Sequence, residues 1–206
     1  MVCNVESSPT TDRKPQVMEP TQTALIVPIP EAEEAVGRFR ASLDRAAGWG
    51  VPAHVTVLYP FLPPQQIDEQ VMAVLRETIV GIPRFDVALT NVGWFGDTVV
   101  WLAPQPDRPF RELTTAVWQQ FPEAPPYAGA HSDVVPHLTI GHDAAKPTLS
   151  HAAETIAAHL PINATIDRVR LIAGTPDISP WRTVCEFPLG STQPGSAGTG
   201  LAAATA

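Results

Sequence analysis

Two stretches of this sequence decide its fold: His54-Val55-Thr56-Val57 and His137-Leu138-Thr139-Ile140. Both read histidine, apolar residue, threonine, apolar residue. On a β-strand, residues i and i+2 point to the same face. Each copy therefore predicts a strand with an imidazole and a hydroxyl on one face and two aliphatic side chains in a core. About 0.1 such tetrads are expected by chance in this composition, so the repeat is not accidental.

The doubled motif favours phosphoester chemistry. Two imidazoles supply a proton acceptor and a proton donor, because their unperturbed pKa lies near neutrality. Two hydroxyls are suited to hold an anion as charge develops. We therefore interpret His54 and His137 as catalytic residues and Thr56 and Thr139 as phosphate-binding residues. The near-symmetry of such a site leaves open which histidine is the base and which is the acid.

A metal centre is the alternative use of these histidines. Zinc requires three or four His, Cys or carboxylate ligands in suitable geometry. Each motif offers a threonine, not a second ligand, two residues after its histidine, and His142 falls on the strand face opposite to His137. We therefore expect no metal and no other cofactor.

Periodicity and proline or glycine punctuation predict alternating helices and strands around the motifs. Helices are predicted over residues 31–47, 64–80, 108–120 and 149–160. Strands are predicted over residues 24–29, 55–59, 85–95, 98–103, 138–141, 164–173 and 183–187. A hairpin at Gly96-Asp97 joins two of these strands. The two motifs occupy similar places in the two halves of the chain, which indicates an ancient internal duplication.

Composition bounds the organisation of the chain and its partners. Residues 1–20 and 190–206 are predicted to be flexible tails around one domain over residues 21–189. The net charge is −8, with 21 acidic and 13 basic residues, so tight binding to long duplex nucleic acid is disfavoured. Residues 1–20 lack the apolar stretch of a secretory signal, and Cys3 and Cys185 make a poor disulfide pair. No run reaches the length of a membrane span, and we expect a cytoplasmic monomer.

The residues around both motifs resemble one known family. His54-Val-Thr-Val-Leu-Tyr-Pro-Phe61 and Val134-Val-Pro-His-Leu-Thr-Ile-Gly141 are similar to the 2H phosphoesterase superfamily, in particular its bacterial 2′-5′ RNA ligase-like branch. The segment Pro180-Trp-Arg-Thr-Val-Cys-Glu-Phe-Pro-Leu189 is similar to the last strand of that branch. The resemblance covers about residues 21–189.

This resemblance implies both a fold and a reaction. The fold is α+β, with two pseudo-symmetric lobes of antiparallel sheet, helices outside and a central cleft. The reaction is metal-independent hydrolysis, or reversible ligation, of cyclic-phosphate or 2′-5′-linked nucleotide or RNA ends. The catalytic positions map onto His54, Thr56, His137 and Thr139, and the resemblance favours His137 as base and His54 as acid. The alternative from another class is a non-catalytic module that binds a nucleotide or an RNA end.

Further substrate contacts are predicted at Tyr59, His131, Trp181 and Arg182. Tyr59, Phe61, Trp94, Phe95 and Tyr127 are candidates for stacking on a nucleobase. His131, with Asp133, precedes the second motif in a loop that is suited to line the mouth of the cleft. Arg182 follows Trp181 and is suited to reach a phosphate. The alternatives are core packing for the aromatic residues, among them Phe61, Trp94, Phe95 and Tyr127, and a solvated surface for His131 and Arg182.

Overall fold

The structure is a computed structural model that describes residues 19–130, 134–176 and 179–191. These residues form a mixed fold of eight strands and five α-helices. The strands are β1 (Gln22–Pro28), β2 (His54–Leu58), β3 (Phe85–Phe95), β4 (Val99–Gln105), β5 (Leu138–His142), β6 (Ile162–Ile166), β7 (Arg168–Thr175) and β8 (Ser179–Pro188). The helices are α1 (Glu33–Leu43), α2 (Arg45–Gly48), α3 (Glu69–Val80), α4 (Arg108–Gln120) and α5 (Lys146–Ala157). Short 3₁₀ turns cover Pro30–Ala32, Pro64–Gln66 and Pro126–Gly129.

The strands form one antiparallel sheet in the order β6-β3-β4-β5-β2-β1-β7-β8. Four strands lie on each side of the boundary between β5 and β2, and each side carries one motif strand next to that boundary. This arrangement confirms the predicted α+β fold with two related halves. The segments β1-α1-β2 and β4-α4-β5 occupy equivalent places in the two halves, since each consists of a strand, a long helix and a motif strand.

The two faces of the sheet are covered differently. Val55 and Leu138 face the helices and are fully buried, together with Leu113 and Val117 of α4. Full burial of each such side chain contributes about 1.5–3 kcal/mol. The opposite face, here called the cleft face, carries a smaller apolar cluster that includes Ile26. Helix α1 contacts β5 and helix α4 contacts β2, so each helix packs on the motif strand of the other half.

Several predicted elements agree with the structure. Helix α4 has the predicted bounds, and β3 and β4 form the predicted hairpin, with Gly96 at a φ of +56° in the turn. Helix α5 begins three residues before the predicted start, at Lys146. Helix α3 begins only at Glu69, because the Asp68 side chain caps it by accepting a hydrogen bond from the Val71 N–H at 2.9 Å.

Two predictions of continuous elements are wrong. The helix predicted over 31–47 is interrupted at Asp44, which has extended backbone angles and caps α2 by accepting from the Ala46 N–H at 3.0 Å. The strand predicted over 164–173 is two strands separated at Asp167. β6 pairs with β3, whereas β7 pairs with β1 and β8, so the chain crosses from one half of the sheet to the other at this point.

The ends of the domain are tied to its body where they are described. The Glu19 carbonyl accepts a hydrogen bond from the Thr175 hydroxyl at 3.2 Å. Gly190, predicted as the first residue of the tail, donates to the Ile82 carbonyl and accepts from the Arg84 N–H. Residues 1–18 and 192–206 of the predicted tails lie outside the described residues. None of the helices in the described part of the chain is long and apolar enough to span a membrane.

Candidate active site

The pairing of β2 with β5 brings the two motifs together. Val55 lies opposite Leu138 in an antiparallel register. Continuing this register by one residue in each direction places His54 beside Thr139 and Thr56 beside His137. All four are half-buried, and they alternate with the fully buried Val55 and Leu138. The structure therefore gathers both imidazoles and both hydroxyls on the cleft face, at the centre of the sheet.

Both histidine rings are oriented in the same way. The Nδ1 atom of His54 lies 2.8 Å from the Pro52 carbonyl, and the Nδ1 atom of His137 lies 2.7 Å from the Val135 carbonyl. A carbonyl oxygen can only accept a hydrogen bond, so Nδ1 carries the proton in each neutral ring. Each Nε2 atom is then left free to take or deliver a proton.

The surroundings lower the pKa of both histidines. The pKa of His54 is lowered from 6.5 to about 4, mainly by burial; the charges of Arg40 and His137 act in the same direction, whereas the Pro52 carbonyl and Asp44 oppose it. Burial also lowers the pKa of His137, against the opposing effect of the Val135 carbonyl. Both rings are therefore neutral near pH 7 in the free protein.

Tyr127, predicted as either a stacking residue or a core residue, lies beside this group. The Tyr127 side chain is hydrogen bonded to that of Thr56, and burial raises the pKa of the Tyr127 hydroxyl. The Tyr127 N–H donates to the Tyr59 carbonyl at 2.7 Å, which ties the loop before the second motif to the end of β2. Tyr127 and Ala128 have φ values of +51° and +52°, a left-handed conformation that costs a non-glycine residue energy and is frequent near functional sites.

A cavity of about 240 Å³ opens beside His54 and Thr56. Its aromatic walls are Trp49, Tyr59 and Trp181. The Trp49 and Trp181 rings stack with centroids 6.4 Å apart, and the Tyr59 hydroxyl donates to Gln22 Oε1 at 2.6 Å. A Cβ atom at Gly174 would lie 2.5 Å from the Trp181 ring, so glycine is needed there for the ring to lie on β7. The predicted candidates Tyr59 and Trp181 thus lie next to the motif residues.

A second aromatic wall lies beside His137. The Phe95 ring meets the His137 ring edge to face, with centroids 5.0 Å apart, and stacks on Trp101 at 4.9 Å. Trp101 lies opposite Thr139 in the sheet, and its ring covers Gly93, where a Cβ atom would approach to 2.4 Å. Phe95 was among the predicted stacking candidates. Trp101 was not, because nothing around it in the sequence distinguishes it from other half-buried strand residues.

Arg182, another predicted contact, is not brought to the site. Arg182 is exposed on β8, opposite Ala173, and is not among the residues that line the cavity. Trp181 and Arg182 lie within β8, not before it as predicted. His131 and Asp133 lie outside the described residues. No group of three or more His, Cys, Asp or Glu residues in the described ranges is arranged to hold a metal ion.

The fold and the site define a class of protein in which two histidine–threonine strands pair at the centre of an antiparallel sheet that packs against helices. The model of the 2′-5′ RNA ligase superfamily matches residues 28–177. The chain therefore belongs to this superfamily, whose members are phosphoesterase and ligase enzymes. No curated protein matches the chain.

Solved structures share the fold at low sequence identity. The crystal structure of E. coli LigT with 3′-AMP has a TM-score of 0.57 and 20% identity, and the match covers 85% of this chain and 100% of that one. A crystal structure of a phosphoesterase gives a TM-score of 0.54 at 20% identity, over 84% and 100% of the chains. A protein of Thermus thermophilus gives 0.55 at 16% identity, over 84% and 100% of the chains. These likenesses concern the fold.

Proposed function

We propose that the protein is a metal-independent phosphodiesterase that hydrolyses cyclic-phosphate or 2′-5′-linked nucleotide or RNA ends, with ligation as the reverse direction. One observation carries this proposal: two histidines with their Nδ1 protons held by carbonyls share one face with two threonine hydroxyls. Binding alone would not require two titratable rings in the same orientation. Paired proton transfer requires both.

The chemistry follows from the arrangement of these side chains. The neutral Nε2 of His137 takes a proton from water, and the water oxygen attacks phosphorus. The bond between phosphorus and a ribose oxygen breaks, and the protonated Nε2 of His54 delivers its proton to that oxygen. The hydroxyls of Thr56 and Thr139 donate to the non-bridging oxygens as their charge develops. With a 2′,3′-cyclic phosphate, this step opens the ring and leaves a phosphomonoester.

The assignment of His54 as the acid requires a charged ring in the substrate complex. In the free protein, burial holds the pKa of His54 near 4, which favours the neutral form. An anionic phosphodiester beside the ring stabilises the imidazolium and raises the pKa of His54. Substrate binding thus prepares the acid, and the base is the histidine farther from the leaving oxygen.

The aromatic cavity supplies the proposed site for a nucleobase. Trp49, Tyr59 and Trp181 offer flat apolar surfaces next to the motif residues, and an aromatic surface accepts any base. Crystals of the related LigT hold 3′-AMP, ATP or NADP⁺, so nucleotides bind to that protein. The net charge of −8 is consistent with a small substrate held by local groups, not by a basic surface.

Turnover in a chelator tests the proposal against the alternative of a non-catalytic binding module. The protein is incubated with 2′,3′-cyclic AMP, a 2′-5′ dinucleotide and an RNA ending in a cyclic phosphate, each with EDTA. We expect hydrolysis of at least one of these substrates at an unchanged rate in EDTA. Tight binding of all three without turnover would support the binding module. Activity that EDTA abolishes and zinc or manganese restores would replace the proposed mechanism with a metal-dependent one.

A further inference from the structure

A buried arginine, Arg40, is hydrogen bonded to the Val51 carbonyl, which directly precedes the Pro52 carbonyl that orients His54. Arg40 of α1 is 2% exposed, and its guanidinium pairs with Asp44 at 2.9 Å. The same Nη2 atom donates to the Val51 carbonyl at 3.3 Å. Val51 lies three residues before His54, and the following carbonyl, that of Pro52, accepts the Nδ1 proton of His54.

The second half of the molecule repeats this connection. Arg111 of α4 pairs with Asp107 at 2.7 Å, and its Nη1 atom donates to the Val134 carbonyl at 2.7 Å. Val134 lies three residues before His137, and the following carbonyl, that of Val135, accepts the Nδ1 proton of His137. In both halves, the arginine belongs to the long helix between the first strand of the unit and its motif strand, α1 or α4, and its carboxylate partner is four residues away.

Backbone geometry explains how these contacts reach the rings. The carbonyl bound by each arginine and the carbonyl bound by each ring are separated by the φ and ψ torsions of one residue. In the first half that residue is Pro52, whose ring fixes φ. In the second half it is Val135, which the following Pro136 restricts to extended conformations. A guanidinium that is always charged and planar therefore fixes the direction of the second carbonyl by holding the first.

We propose that Arg40 and Arg111 are positioning residues, one for each catalytic histidine. Each arginine anchors one backbone carbonyl, and the next carbonyl along the chain accepts the Nδ1 proton of the histidine. This inference rests on the proposed function for its catalytic consequence. Its structural part concerns the orientation and tautomer of two rings, which are measurable without substrate. Each arginine acts on the histidine of its own half.

Arg111 provides the cleaner test because its side chain is 38% exposed and its loss leaves no buried charge. The variant Arg111→Met removes the donors and keeps the aliphatic stem. Arg108→Met is the matched control, since Arg108 lies on the same helix, is 84% exposed and pairs with Glu112 by the same spacing. The ¹⁵N chemical shifts of the rings, at a pH where both are neutral, report which nitrogen carries the proton.

For Arg111→Met, we expect the Nε2-protonated tautomer of His137 to increase and the signals of His54 to stay as in the wild type. We expect kcat to fall about tenfold, since small misplacements of a catalytic group are costly, with KM changed less than twofold. Arg111→Lys keeps a charged donor but not the fork, and we expect an intermediate kcat. Arg108→Met is expected to match the wild type in both measurements.

The test of Arg40 must avoid leaving a buried charge without a partner. Arg40→Met alone leaves the Asp44 carboxylate buried without this partner, so it is combined with Asp44→Asn, which retains the cap on α2. Arg38→Met, on the exposed face of the same helix, is the control. We expect the tautomer of His54 to shift and that of His137 to stay unchanged. Arg111→Met gives an independent answer if the Arg40 double variant does not fold.

Two outcomes distinguish failure of this inference from failure of the proposed function. A folded Arg111→Met protein with the ring signals of the wild type, or a kcat equal to that of Arg108→Met, would overturn the positioning role. A wild-type protein without turnover on any phosphodiester would overturn the proposed function. In that case the substrate-free ring signals still decide whether the arginines orient the histidines.

Discussion

Val55 lies opposite Leu138 where β2 meets β5, and this register assembles the candidate active site. Both side chains are fully buried against the helices. Their neighbours, the motif histidines and threonines, consequently project together from the other face. The packing of two aliphatic side chains in the core is thereby coupled to the placement of four polar groups in the cleft.

The first prediction concerns this central packing. Leu138→Ala removes a fully buried side chain and should lower the free energy of unfolding by about 2–5 kcal/mol. Denaturant-induced unfolding measures the change. The control is Val184→Ala on the edge strand β8, which is 52% exposed and should stay within about 0.5 kcal/mol of the wild type. Equal stabilities of the two variants would contradict the described core.

The second prediction concerns pH. The general acid must be protonated, so its active fraction falls as pH rises through its pKa, and the general base must be neutral, so its active fraction falls as pH drops. Both pKa values lie below 6.5 in the free protein. We expect a bell-shaped profile of kcat/KM with a maximum below pH 6.5, and a profile of kcat displaced to higher pH by the bound anion. A maximum of kcat/KM above pH 7 would contradict the lowered pKa values.

The third prediction concerns the aromatic cavity. Trp49→Ala should weaken binding of a cyclic nucleotide by about 1–3 kcal/mol, the usual contribution of a stacked base, and so raise KM with little change in kcat. A small cyclic phosphodiester without a base should be processed as by the wild type. Trp118→Ala on α4, which is 43% exposed, is the control. An equal rise in KM on both substrates would contradict binding of the nucleobase against Trp49.

The fourth prediction concerns Thr56 and Tyr127. Thr56→Val keeps the shape of the side chain and removes its hydroxyl, so we expect kcat to fall about 10- to 100-fold, as for a lost hydrogen bond to a charged group. Tyr127→Phe should reduce kcat less, because Thr56 itself stays in place. If the two hydroxyls act as a unit, the double variant will be less impaired than the product of the single effects. Independent effects would show that Tyr127 has no part in placing Thr56.

The local patterns in the sequence predicted much of the fold and the centre of the site. The alternation in His54-Val55-Thr56-Val57 defined both strand faces, and the apolar spacing in α4 defined its bounds. Long-range choices were not visible. Residues 162–175 are rich in strand-forming residues. Asp167 is of a type disfavoured in strands, but it continues the alternation of polar residues at 163 and 165, so the local pattern does not mark it as the crossing between the two halves. The interruption at Asp44 likewise depends on its contacts with Arg40 and the Ala46 N–H.

The remaining site residues depend on tertiary contacts. Trp101 and Tyr127 come to the motifs from a neighbouring strand and a loop, and their spacing in the sequence does not record this. From the sequence, an arginine in a helix is expected on the surface. Arg40 is nevertheless buried, because the buried Asp44 carboxylate pairs with its guanidinium. The glycines at 93 and 174 are explained only once the indoles that cover them are seen.

The central claim is that His54 and His137 transfer protons on opposite sides of one phosphodiester. The most direct measurement is the turnover of 2′,3′-cyclic AMP, in EDTA, by the wild type, His54→Ala, His137→Ala and the double variant. Each single variant should lose about 10²- to 10⁴-fold in kcat with little change in affinity. The double variant should be far less impaired than the product of the single effects. Near-normal turnover by either folded single variant, on a substrate that the wild type clearly processes, would contradict the mechanism.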